Sequence, residues 1–97
     1  MTKNDDWPTQ VARRVAREVR RHRQMRQPRM SVQNLADLTA ELGMEIPRSV
    51  LANLEGGRRD TISVAEVLVL AAALNVSPLE LIFPVGFDEQ MEILPGR

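Results

Sequence analysis

Three polar side chains, those of Arg48, Ser49 and Asn53, lie close together in the segment IPRSVLANLEGGRRD, residues 46–60. An arginine guanidinium can donate a fork of two hydrogen bonds to guanine O6 and N7. An asparagine amide can pair with adenine N6 and N7, and a serine hydroxyl can bond to a base or a phosphate. These residue types therefore indicate hydrogen bonding to base edges rather than bond-making chemistry.

The same segment predicts the element that carries these side chains. A short helix from Arg48 to Leu54 or Glu55 is expected, because proline is tolerated at a helix start and Gly56-Gly57 provides a left-handed stop. Its apolar residues would hold it on the core while the polar ones project outward one turn apart. Arg58 and Arg59 then follow where the chain would pass the phosphates of a duplex.

The sequence contains no residue pattern typical of a catalytic or metal-binding site. The chain has no cysteine, and its one histidine, His22, falls where the apolar stripe of a helix predicts a half-buried packing residue. The acidic residues are scattered without a pair at acid–base spacing, and LEGGRR lacks the Lys-Ser/Thr ending of a phosphate-binding loop. We expect no enzyme activity, metal, cofactor or small-molecule ligand.

The charges are segregated along the chain although the formal net charge is zero. Residues 13–59 contain 11 arginines and 5 acidic residues, a net charge of +6, whereas residues 60–96 contain 6 acidic residues and no base. This asymmetry favours a first part that meets a polyanion and a second part that faces solvent or a partner. A merely solvated, arginine-rich helix remains the alternative.

Hydrophobic spacing predicts an all-α fold of five helices in one domain, residues 10–84. The first helix is expected from Gln10 to about Met25 behind a Thr9 cap, and the second from a Ser31 cap to Gly43. The fourth, from Val64 to Leu74 behind Thr61 or Ser63, is apolar nearly all round and is expected at the centre of the core. A fifth short helix lies within Ser77 to Phe83 and ends at Pro84.

Two terminal segments flank this domain. Residues 1–9 are expected to be a disordered lead, and residues 85–97 form a tail whose alternating polar and apolar residues have the period of a strand. The longest apolar run, Val67 to Leu74, is far shorter than the roughly 20 residues that span a bilayer, and the first residues lack a signal-type apolar core. The sequence predicts a soluble, cytoplasmic protein.

Three stretches together resemble the lambda repressor and Cro-like (Xre-type) helix-turn-helix domains: MSVQNLADL, PRSVLANLEGGRR and VAEVLVLAAALNVSPLELIF. The resemblance covers Val11 to Phe83. It implies a bacterial, sequence-specific regulator of transcription that binds double-stranded DNA with its third helix in the major groove, usually as a dimer on an inverted repeat.

Specific roles follow from this resemblance. Ser31, Val32 and Gln33 would begin the helix that crosses the DNA backbone, with Gln33 near a phosphate or a base. Arg48, Ser49 and Asn53 would contact bases. Glu55 would be structural, held by an arginine of the first helix, either Arg20 or Arg23, because an outward carboxylate would repel phosphate.

The chain departs from the family pattern in length. Between Leu35 and Glu55 it is about five residues longer than the shorter members, so the second helix or the following turn is extended, as in actinobacterial-type variants. The loop from Gln24 to Arg29 is also slightly long.

Two functions are consistent with this sequence. The first is a DNA-binding regulator, a repressor, that forms a homodimer through the fifth helix and the tail from Phe87 to Leu94; the apolar residues of that helix are Leu79, Leu81, Ile82 and Phe83. The alternative is an antitoxin or protein-interaction module that binds a polypeptide through its C-terminal half.

Overall fold

A computed structural model describes residues 6–83 of the chain, and these residues form an all-α fold with no strand. The five helices run in the order α1 (Trp7–Met25), α2 (Val32–Glu41), α3 (Arg48–Glu55), α4 (Val64–Leu74) and α5 (Pro78–Ile82). The fold class and the order of helices predicted from the sequence are confirmed. No helix within residues 6–83 is long and apolar enough to span a membrane.

Helix α1 begins three residues earlier than predicted. Asp6 is its N-cap, and the Asp6 Oδ1 accepts a hydrogen bond from the Thr9 amide at 3.0 Å. Aspartate is a stronger cap than threonine, and Pro8 suits the first turn because its missing N–H would have no partner in the helix. The expectations of a Thr9 cap and of a disordered lead are therefore wrong for residues 6–9, and Thr9 is buried instead.

Three helices begin with a reciprocal cap on a serine. The hydroxyls of Ser31, Ser63 and Ser77 each accept a hydrogen bond from a backbone amide. The side chain three residues later accepts a hydrogen bond from the backbone amide of the same serine. Such capping boxes satisfy backbone donors that the first turn leaves without helical partners. Ser63, rather than Thr61, is thus the cap of α4.

The segment between α2 and α3, residues 42–47, is held by one buried threonine. The Thr39 hydroxyl donates to the Ala36 carbonyl at 2.7 Å and accepts from the Ile46 amide at 2.9 Å. The Thr39 carbonyl accepts from the Met44 amide at 3.1 Å. This segment exceeds the roughly 3–4-residue turn of simple helix-turn-helix motifs, so these bonds fix where α3 begins.

Leucines from four of the five helices fill the core. Those with at most 2% exposure are Leu35, Leu51, Leu54, Leu70, Leu74 and Leu81. Helix α4 packs against α1, α2 and α5, which places it centrally, as predicted. Its outer side is exposed, however, with Val64 at 74% and Leu68 at 52% exposure, so the helix is not buried all round.

The predicted dimer surface on α5 needs a correction. Leu81 is fully buried within its own subunit, because it packs in the core cluster, and it has no surface to offer a second copy. Leu79 and Phe83 remain exposed, at 61% and 38%. The predicted strand and its dimer contacts from Phe87 to Leu94 lie outside the described residues.

A shallow apolar cavity of about 370 Å³ lies where the start of α1 meets the segment before α4. Its lining residues are Trp7, Pro8, Val11, Thr61 and Ile62. The Trp7 side chain is half-exposed at its edge.

Candidate nucleic-acid interface

Helix α3 has one buried side and one polar outward side. Leu51 and Leu54 are 0% and 1% exposed and anchor the helix to the core. Arg48, Ser49 and Asn53 are all exposed, so their donors and acceptors face solvent. The structure therefore brings the three predicted base-contacting residues onto a single surface of one eight-residue helix.

The start of α3 is open to solvent. Its N-cap, Pro47, makes no side-chain hydrogen bond to the first turn, and Arg48 is the first helical residue. The first backbone amides of a helix lack partners within it and carry a partial positive charge. This end therefore presents backbone donors next to the Arg48 guanidinium.

The end of α3 folds back onto its own outward side. Gly57 has a φ of +74°, the left-handed conformation that reverses the chain after the helix. The Arg58 amide then donates to the Asn53 carbonyl at 3.1 Å. The Arg58 Nη1 also donates to the Asn53 Oδ1 at 3.1 Å, so two of the predicted DNA-contacting side chains touch each other.

Arg59, predicted to contact phosphate, lies in an ion pair with Glu66. Its Nη1 and Nη2 donate to the two carboxylate oxygens of Glu66, each at 2.9 Å. This arginine holds the pKa of Glu66 below its usual 4.5, helped by hydrogen bonds from Ser63. The Glu66 hydrogen bond in turn raises the pKa of Arg59. The Arg59 guanidinium therefore ties the α3–α4 segment to the start of α4.

Ser31 and Gln33 lie at the exposed start of α2. The Ser31 hydroxyl accepts from the Asn34 amide at 3.0 Å, which gives it a structural role in the cap. The Gln33 Nε2 donates to the Asp37 Oδ1 at 2.9 Å, so its amide is held along the helix surface. Of the two predicted residues, Gln33 is the one that carries a side-chain amide.

Glu55 forms an ion pair with Arg23 beneath α3. The Arg23 Nη2 and Nε donate to the Glu55 Oε1 and Oε2 at 2.7 and 2.9 Å. The Arg23 Nη1 also donates to the Met30 carbonyl at 2.9 Å. The two charged side chains are only 10% and 7% exposed, and the Glu55 hydrogen bond raises the pKa of Arg23. The pair joins the end of α3 to α1 and to the segment just before α2.

The arginines of α1 differ in whether their guanidinium groups are exposed or already engaged with a carboxylate. Arg17 and Arg20 are exposed, whereas Arg21 binds Glu18 through contacts of 2.7 and 3.0 Å.

His22 is half-buried, with its Nε2 3.8 Å from the Glu18 Oε1. Within residues 6–83, no three histidine, aspartate or glutamate side chains gather in a metal-binding arrangement.

Sequence reasoning missed two residues that support this surface. Thr39 occupies a buried position beside Leu35 and Ala36, and a polar residue in an apolar stripe is the signal that could have found it. Glu66 follows Ser63 at the spacing of a capping box, which predicts its bond to the Ser63 amide but not the ion pair with Arg59.

Solved structures share this arrangement of helices. The restriction-modification controller protein C.AhdI from Aeromonas hydrophila is 28% identical, with a TM-score of 0.59 over 72% of this chain and 94% of that one. The hypothetical transcription factor NHTF from Neisseria is 22% identical, with a TM-score of 0.64 over 92% of this chain and 93% of that one. The chain thus has the helix-turn-helix fold of these two proteins. No protein-family model matches the chain, and no curated protein matches it significantly.

Proposed function

We propose that this protein is a sequence-specific regulator of transcription that binds double-stranded DNA. The observation that carries the proposal is the outward surface of α3, where Arg48, Ser49 and Asn53 are exposed above the buried Leu51 and Leu54. Such a helix enters the major groove with its first residues at base edges. The similarity in fold to a controller protein and a transcription factor supports this assignment.

In this proposal each part of the surface has its own task. Arg48, Ser49 and Asn53 read bases, and the start of α2 with Gln33 lies along the DNA backbone. The exposed arginines Arg17 and Arg20 supply positive charge to phosphates from α1. No step of bond making is involved.

Selection of duplexes from random-sequence DNA, followed by affinity measurements over a range of salt, tests this function. We expect enrichment of a defined sequence and a log–log salt slope of about −0.9 for each neutralised phosphate. Equal affinity for all duplexes, or no binding at low salt, would contradict the proposal.

We further propose that the protein acts as a repressor and binds an inverted repeat as a homodimer. One eight-residue helix reaches few base pairs, and helix-turn-helix proteins lengthen their sites by placing two such helices roughly 34 Å apart. Apolar side chains that a second copy could cover are exposed on α4, on α5 and directly after α5: Val64, Leu68, Leu79 and Phe83. Repression is tested by measuring transcription from a promoter that carries the selected sequence, with and without the protein; increased transcription would contradict it.

The same exposed apolar side chains favour one alternative, an antitoxin-like module that binds a different polypeptide. The two functions make opposite predictions. Isolation as a complex of fixed stoichiometry with a non-identical protein, together with no affinity for any duplex, would support the alternative.

A further inference from the structure

We propose that Arg58 is a positioning residue that fixes the Asn53 amide for the reading of one base pair. This inference rests on the proposed function and assigns a determinant of specificity within it. It gives Arg58 a task different from the uniform phosphate contact that its place after α3 predicted.

The contact between the two side chains has only one chemical orientation. A guanidinium has five donors and no acceptor, so the Asn53 group that faces Arg58 at 3.1 Å must be the carbonyl oxygen Oδ1. The amide nitrogen Nδ2 is therefore turned away from Arg58. Because a carbonyl oxygen has two lone pairs, Oδ1 can still accept a second bond, and the amide keeps both a donor and an acceptor for a base edge.

The backbone after α3 places Arg58 for this contact. Gly57, with its φ of +74°, reverses the chain, and the Arg58 amide then bonds to the Asn53 carbonyl at 3.1 Å. Arg58 is thus tied to Asn53 through its main chain as well as its side chain, which limits the positions that the guanidinium can take.

Gly56 contributes space rather than an unusual conformation. Its φ of −78° and ψ of 0° are accessible to any residue. A Cβ at this position, however, would lie 2.9 Å from the Arg58 Nη1 and 3.2 Å from the Ala52 carbonyl oxygen. The two glycines therefore have separate tasks, because Gly57 turns the chain and Gly56 leaves room for the guanidinium beside Asn53.

A positioning role and a phosphate role differ in what a substitution changes. Loss of a phosphate contact weakens binding to every sequence alike and lowers the salt slope by about one. Loss of a positioning contact instead frees the Asn53 amide to rotate, so the preference at the base pair that Asn53 reads is relaxed.

The experiment measures affinities for the selected duplex and for all its single-base-pair variants. We expect Asn53→Ala and Arg58→Met to lose roughly tenfold discrimination at the same base pair, with no further loss in the double variant. Gly56→Ala keeps the charge of Arg58 and should relax that preference without changing the salt slope. Arg29→Met, which removes an exposed arginine from the α1–α2 loop, is the charge-matched control and should leave base preference intact.

If Arg58→Met weakens all duplexes by one factor and preserves every base preference, the positioning role is wrong. The free protein gives a second readout through the ¹⁵N relaxation of the Asn53 side-chain amide. We expect an ordered amide in the wild type and a mobile one in Arg58→Met and Gly56→Ala. If the Asn53 amide is equally mobile in all three proteins, the contact between Arg58 and Asn53 is wrong. If the amide is ordered but the wild type prefers no duplex, the contact stands, and the proposed function and the role of Asn53 in reading a base are wrong.

Discussion

The Arg23–Glu55 pair is a charged contact that links the end of α3 to α1. Both carboxylate oxygens of Glu55 accept hydrogen bonds from Arg23, and the third bond of that guanidinium goes to the Met30 carbonyl. A charge so little exposed is costly to bury unless its partner is present. The pair therefore positions α3, the helix proposed to read bases, and keeps the Glu55 carboxylate engaged with Arg23.

We expect Glu55→Gln to lower the free energy of unfolding by about 3 kcal/mol, because the variant leaves the Arg23 charge buried without its counter-charge. Affinity for DNA per folded molecule should change much less. Urea unfolding followed by circular dichroism measures the first quantity, and binding titrations below the unfolding midpoint measure the second. Glu41→Gln, at the exposed end of α2, is the control, and a Glu55→Gln variant that is equally stable and binds DNA more tightly would show Glu55 to be a surface charge.

Which arginine pairs with Glu55 could not be predicted from the sequence. The resemblance implied an arginine of the first helix and left Arg20 and Arg23 as alternatives. In the structure Arg20 is exposed and Arg23 is buried. The choice depends on how α1 and α3 cross, which is set by packing between residues 32 positions apart and not by a local pattern.

Among the elements, the segment joining α2 to α3 depends on the Thr39 hydroxyl. We expect Thr39→Val to lower the free energy of unfolding by roughly 1–3 kcal/mol, because the Ile46 amide loses its acceptor in a buried place. Hydrogen exchange of the Ile46 amide should become faster in the same variant. Thr39→Ser retains the hydroxyl and is the matched control. If Thr39→Val loses no more stability than Thr39→Ser and the exchange of the Ile46 amide is unchanged, the hydroxyl bond does not hold this segment.

The start of α4 should make stability depend on pH. The pKa of Glu66 is lowered in the folded protein, mainly by Arg59, so its contribution is fully present above the unfolded pKa of about 4.5. It is lost as the pH falls through the lower, folded-state pKa. We expect Glu66→Gln to be less stable than the wild type by about 1 kcal/mol near pH 7, with the difference shrinking progressively below pH ~4.5.

Urea unfolding of both proteins between pH 7 and pH 3 measures this difference. The exposed Glu41→Gln variant corrects for the general effect of removing an acid. A difference between wild type and Glu66→Gln that stays constant over the whole range would mean that the ion pair with Arg59 does not contribute.

Element boundaries were largely predictable because caps are local signals. Ser31, Ser63 and Ser77 each precede an apolar segment, and the αL residue Asn75 ends α4 as expected. Asp6 was missed, although an aspartate two residues before a proline is a comparable signal of a helix start. The exposed outer side of α4 was not predictable from periodicity, because a helix that is apolar all round gives no indication of which side remains uncovered.

For the whole molecule, a substitution on the exposed side of α4 is the most direct test of self-association. Val64 and Leu68 are one turn apart, and Ala65 and Ala72 are exposed beside them. We expect Leu68→Lys to convert a dimer into a monomer in sedimentation experiments, because a charge would be buried at the two-fold contact. Leu42→Lys is the control, since that leucine is equally exposed at 53%.

The same sedimentation experiment on the chain ending at Pro84 distinguishes a dimer formed by the helices from one formed by the tail from Phe87 to Leu94. A dimer that survives this truncation but not Leu68→Lys would assign the contact to the helices. If the wild type sediments as a monomer at all concentrations, the homodimer proposal is wrong.

Trp7 gives the molecule an optical property of its own. It is the one tryptophan of the chain and is half-exposed. It borders the same shallow cavity as Thr61 and Ile62, and these two residues follow closely after Arg58 and Arg59. Indole fluorescence responds to local polarity, so a displacement of that segment would change the emission without any attached dye. The domain thus carries an intrinsic fluorescent reporter of the segment that follows α3.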